Sequence, residues 1–70
     1  MTQEIKIQTE YITLGQFLKL ADIIDSGGMA KWYLQEHEVT VNGVKENRRG
    51  RKLKAGDVIM IENKESFIIV

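Results

Sequence analysis

The sequence predicts an α+β domain in which two helices pack on one side of a small antiparallel sheet. Apolar residues recur at helical spacing over residues 14–24 and again over 30–34. Segments before and after them alternate or run apolar for a few residues, as strands do. Between two of those segments stands Asn42-Gly43, the dipeptide most strongly associated with two-residue hairpins. Helices gathered on one face of an antiparallel sheet are the simplest architecture that buries both stripes.

Taken in order, residues 4–9 place Ile5 and Ile7 on one side and Lys6 and Gln8 on the other, the pattern of a half-buried edge strand. At Thr13 the period changes to that of a helix. Leu14, Phe17, Leu18, Ala21 and Ile24 share a face, and Thr13 with Gln16 three residues on can form a capping box, so a first helix is expected over 14–24. Asp25-Ser26-Gly27-Gly28 interrupts it, with Ser26 as N-cap of a second helix whose stripe is Ala30, Tyr33 and Leu34 and whose end lies near residues 36–38. Val39-Thr40-Val41 reads as a strand, Asn42-Gly43 as its turn and Val44 as the start of the return strand. Lys54-Ala55-Gly56-Asp57 reads as a further turn, followed by strands over 58–61 and 66–70 separated by a polar turn.

Seventy residues make one domain, 1–70, near the lower limit at which a single core sustains a fold. The absence of cysteine excludes disulfides, thiolate metal sites and a thiol nucleophile. No apolar run approaches the roughly 20 residues of a membrane helix. No basic segment leads into an apolar export signal, so a cytoplasmic protein without a membrane partner is expected.

Formal net charge is zero, yet six of the ten basic residues (Lys45, Arg48, Arg49, Arg51, Lys52 and Lys54) fall within residues 45–54 beside a single acid, Glu46. A folded chain would present a positive loop on a mildly acidic body, a fit for phosphate. The plainer reading of such a run is a solvated surface loop. Arg suits a phosphate-facing loop better than Lys, because its planar fork can bridge two phosphate oxygens and stack on a base.

The succession Thr13-Leu14-Gly15-Gln16-Phe17-Leu18-Lys19, Ser26-Gly27-Gly28-Met29-Ala30-Lys31, Val39-Thr40-Val41-Asn42-Gly43 and Lys54-Ala55-Gly56-Asp57-Val58-Ile59 resembles the RNA-binding domain named after ribosomal small-subunit protein four, the S-four domain. The resemblance covers about residues 13–62, and Asn47-Arg48-Arg49-Gly50-Arg51-Lys52-Leu53 makes the chain similar to small stand-alone bacterial S-four-like proteins. It implies the alpha-L RNA-binding motif, a non-enzymatic role on structured RNA, ribosomal RNA foremost, and a place in ribosome assembly. Family members meet RNA with the two-helix face and the adjoining basic loop. Lys31 falls where the family often has Arg, and Trp32 takes another frequently basic position. Thr13 and Gly15 stand where the family usually has a basic and an acidic residue. The helices are thus depleted of charge, and the loop becomes the primary site. The RNA-contacting set implied is Lys31, Trp32, Lys45, Arg48, Arg49, Arg51, Lys52 and Lys54.

Trp32 lies far from the Ala30/Tyr33/Leu34 stripe at about 100° per residue. In so small a core the favoured reading is that it packs under an irregular segment; the alternative is an exposed ring that stacks on a base. His37 between Glu36 and Glu38 does not form a catalytic or metal constellation, because adjacent side chains diverge, and it reads as a helix-end residue. No P-loop, nucleophile elbow or triad is present, and the core leaves little room for a small-molecule substrate, so no enzyme, cofactor or metal is expected. The alternative function is a protein-interaction adaptor that docks the basic loop on an acidic partner, since Arg clusters fit carboxylates as well as phosphates.

Overall fold

A computed structural model describes residues 2–70. In chain order the elements are β1 (Thr2–Ile5), β2 (Ile12–Thr13), α1 (Leu14–Leu20), a 3-10 turn (Gly27–Met29), α2 (Ala30–Glu36), β3 (Val39–Val41), β4 (Val44–Lys45), β5 (Lys52–Leu53), β6 (Val58–Ile61) and β7 (Glu65–Ile69). Five strands form one sheet in the order β1-β7-β6-β3-β4, and β2 pairs with β5 in a separate two-stranded ribbon.

The α+β class holds, with one correction: the sheet is mixed. Every pairing from β7 to β4 is antiparallel, but β1 runs parallel to β7, with Thr2 opposite Ser66 and Ile5 opposite Ile69. A parallel pair needs a long crossover between its strands. Here everything from residue 6 to 64 supplies it, a separation that alternation within 4–9 could not reveal.

The capping box forms as its residue types require. Gln16 N–H donates to Thr13 Oγ1 at 3.2 Å, and Thr13 N–H donates to Gln16 Oε1 at 2.8 Å. The first helix is shorter than its spacing predicts, ending at Leu20 rather than at 24. Asp22 takes a left-handed φ of 62°, its N–H donates to the Lys19 carbonyl, and the Ile23 N–H reaches the Leu18 carbonyl. That is the bond pair of a Schellman end, with Asp where Gly usually stands. The reversal buries Ile24 in the core although it is no longer helical. At Ser26 the backbone is extended as an N-cap requires, but its side chain makes no capping bond; its carbonyl accepts from Met29 N–H instead.

Between helices and sheet lies one apolar core built on Leu14, Phe17 and Leu18 from α1, Ala30 and Leu34 from α2, and Val39, Val41, Ile59, Ile61, Phe67 and Ile69 from the sheet. Phe17 and Phe67 meet edge to face, 5.2 Å between ring centroids. Ile12 and Leu53 carry the β2–β5 ribbon into the same core.

Asn42 (φ 52°) and Gly43 (φ 83°) both have positive φ, as a type I′ turn demands. The Asn42 side chain does further work. Its Oδ1 accepts from Val58 N–H at 3.0 Å and its Nδ2 donates to Asp57 Oδ1 at 3.1 Å, while Asp57 Oδ2 accepts from Lys54 N–H at 2.9 Å. The Val-Asn-Gly and Gly-Asp elements are therefore clasped together as one hydrogen-bonded unit.

Candidate nucleic-acid interface

The basic window is a loop from β4 to β5 that folds back onto the start of α1. Two of its carbonyls cap that helix: Arg51 accepts from Leu14 N–H at 2.8 Å, and Arg49 accepts from Gly15 N–H at 2.9 Å. With Gln16 N–H bound to Thr13, the first-turn donors of α1 are used inside the protein and are not offered to a phosphate. At Gly15 a Cβ would stand 3.4 Å from that of Ala30 and 3.5 Å from the Arg49 carbonyl, so α1, α2 and the loop converge on this residue.

Glu46 anchors the loop from within. It is only 7% exposed, and its N–H is tied to the Val39 carbonyl. Its carboxylate accepts from Arg48 N–H (3.1 Å), Arg48 Nε (3.0 Å), Arg48 Nη2 (3.2 Å) and Arg51 Nη1 (3.0 Å). The Arg48 side-chain bonds, reinforced by Arg51 and the Arg48 N–H against the opposing effect of burial, hold the Glu46 carboxyl down at about 2. Two of the loop's arginines are thus engaged by an internal carboxylate, which sets the backbone course on which the others are displayed.

Apart from Arg48, the cations of the loop divide among three places. Arg49 lines a shallow groove with Thr13, Gln16, Lys19 and Gly27, between the two-helix face and the loop. Arg51, Lys52 and Lys54 line a second groove on the other side, with Tyr11 and Asn42. Lys45 lies beyond both, 3.8 Å from Glu38. Lys31 and Trp32 project from α2 and line neither groove. Trp32 is 57% exposed, so the packed reading of this residue is corrected: on α2 the core is closed by Ala30 and Leu34, and the indole faces solvent.

Sequence reasoning missed Lys19 and Tyr11. Lys19 follows Gln16 by three residues and shares its side of the helix, which spacing alone could have shown. Tyr11 could be placed only once β2 was known to pair with β5. His37 is a helix-end residue, its N–H bonded to the Tyr33 carbonyl. Its ring stacks on Tyr33 at 4.2 Å, and its Nδ1 meets Glu62 Oε1 at 2.6 Å; it lines neither of these two grooves but shares a separate concavity with Lys45, Glu46 and Asn47. Glu36 and Glu38 do not join it.

Compared with known families, residues 5–70 match the S4 domain. Over 70 residues the chain is 66% identical to the probable ribosome maturation protein RlbA of Bacillus subtilis (strain 168), an alignment that spans 100% of this chain and 99% of that protein.

Proposed function

The chain belongs to the S4 domain family, and from that membership we propose that it is a non-enzymatic, cytoplasmic RNA-binding module that recognises structured RNA, ribosomal RNA foremost, during ribosome maturation. The observation that carries the reading is the basic loop itself: Arg49, Lys52 and Lys54 stand exposed on a backbone pinned to α1 and to Glu46, in a chain of zero net charge. Cations held on a rigid ridge suit a folded phosphate backbone, which is read by shape because the deep groove of an RNA helix excludes side chains. The name of the relative RlbA supports the ribosomal setting, and the 66% identity over the full alignment supports carrying it here. Within this reading Lys31, Trp32, Lys45, Arg48, Arg49, Arg51, Lys52 and Lys54 form the contact set. Arg49, Lys52 and Lys54 are its centre, and Arg48 and Arg51 serve partly as scaffold.

The test is equilibrium binding of the purified protein to ribosomal RNA fragments across a salt series. Log affinity should fall linearly with log salt, with a slope of roughly −2 to −4 for a handful of phosphate contacts. Binding that is absent, or indifferent to salt, sinks the proposal. Cellular partners that survive nuclease treatment would favour the adaptor reading, for which Arg48 and Arg51 already show that this loop can grip a carboxylate.

Trp32 gives a second check. With its indole in solvent, Trp32→Ala should change stability by less than about 0.5 kcal/mol, the usual range for surface positions. If α2 joins the interface, the same change and Lys31→Ala should each weaken binding several-fold, and Trp32 fluorescence should shift on saturation with RNA. An indifferent fluorescence signal with unchanged affinity in both variants removes α2 from the interface.

A further inference from the structure

The β2–β5 ribbon has an inner and an outer face. Ile12 and Leu53 sit opposite each other and point into the core. Alternation therefore places Thr13 and Lys52 on the outer face, and Tyr11 and Lys54, which flank the two strands, line the same groove as Lys52. Tyr11 is 44% exposed and lies outside the apolar core, and among the described residues nothing hydrogen-bonds its phenol. Its backbone is fixed instead, because Thr9 Oγ1 donates to the Tyr11 carbonyl at 2.8 Å. The Lys52 ammonium lies over the ring, 4.9 Å from its centroid. Around this ring the second groove gathers Arg51, Lys52 and Lys54 against Glu10 and Asp57. Although burial opposes it, the bonds from Lys54 N–H and the Asn42 side chain hold the Asp57 carboxyl below its ordinary value and turn it inward to the turn.

We propose that this outer face is a stacking platform for one unpaired nucleotide of the bound RNA, with its base on the Tyr11 ring and its flanking phosphate held by Lys52 and Lys54. The inference rests on the RNA-binding reading and adds to it a ligand, an extruded or single-stranded base next to the helical part. An aromatic ring bordered by lysines on a short strand pair offers the two things such a nucleotide needs, a π-face and positive charge. Lys52 does not block the site. A base stack outweighs an exposed cation–π contact, and the ammonium on its flexible stem gains a phosphate when it leaves the ring.

The experiment compares one RNA stem in two forms, blunt-ended and with a short single-stranded overhang, against the wild type, Tyr11→Phe and Tyr11→Ala, each first shown to be folded by circular dichroism. Tyr11→Ala should lose about tenfold in affinity for the overhang RNA, with little change for the blunt stem and an unchanged salt slope, because no charge is removed. Tyr11→Phe should bind like the wild type. In parallel, 5-iodouracil placed in the overhang should photocrosslink the wild-type chain at Tyr11, a readout that needs no variant to fold. A wild type that binds both RNAs while Tyr11→Ala loses nothing, or loses equally on both, overturns the platform alone, as does a crosslink that maps elsewhere. A wild type that binds neither RNA overturns the RNA-binding reading and the platform with it.

Discussion

A variant with Arg49, Lys52 and Lys54 all replaced by Ala should keep its fold and bind structured RNA roughly two to three orders of magnitude more weakly than the wild type. These three side chains are exposed, and none bonds to Glu46. A hydrogen bond to a charged group contributes about 1.5 kcal/mol or slightly less at an exposed site; three such bonds sum to roughly 3–4.5 kcal/mol, at about 1.4 kcal/mol per decade of affinity. The salt slope should flatten by about 2 to 3, near one per lost phosphate contact. The Arg49 carbonyl still accepts from Gly15 N–H in this variant, so the loop keeps its course. A fuller replacement that included Arg48 and Arg51 would strand the Glu46 carboxylate and mix a folding defect with a binding one. A folded triple variant with wild-type affinity and slope would show that the loop does not meet RNA.

The second large effect concerns Glu46. Glu46→Gln makes the loop more positive, yet it should lower both stability and RNA affinity, because the anchor of Arg48 and Arg51 is weakened. The folded carboxyl titrates at about 2 against an ordinary 4.5, which corresponds to an upper bound of about 3 kcal/mol. The Arg48 side chain is 73% exposed, so solvent screening reduces this to roughly 1–2 kcal/mol. Because the folded pKa is depressed, this stabilisation is fully present above about 4.5 and disappears as pH falls toward about 2. Urea denaturation of wild type and variant should therefore differ at pH 7 and converge near pH 2. A gap that stays constant across that window would show that the Glu46 charge contributes nothing.

Local chemistry made much of this protein legible. Thr13 and Gln16 announced the helix start, Asn42-Gly43 the hairpin, and the charge run the loop, because each signal is complete within a few residues. Where the reading fell short, the deciding partner was distant in sequence or the signal was atypical. The first helix stops at Leu20 because Asp22 adopts the conformation expected of Gly, while the apolar spacing continues to Ile24. Neither the parallel pairing of β1 nor the ribbon that exposes Tyr11 follows from any local pattern. In the basic window, Glu46 looked like the one interruption of the positive charge. Its burial at the centre of the loop became visible only with Val39 and the arginines arranged around it.

The place of β7 in the sheet bears on how the molecule is made. The strand sits between β1 and β6, so Thr2 cannot find Ser66, nor Ile59 find Phe67, until the ribosome has translated that far and released the segment from its tunnel. Until then the nascent chain can join its helices to β3, β4 and β6, but β6 has an unpaired edge and Phe17 lacks the ring of Phe67 against it. Closing the loop between residues 2 and 66 is also the entropically most demanding pairing in the sheet. Insertion of β7 therefore completes the sheet and the aromatic core together, and makes acquisition of the native state a late, concerted event rather than a gradual one.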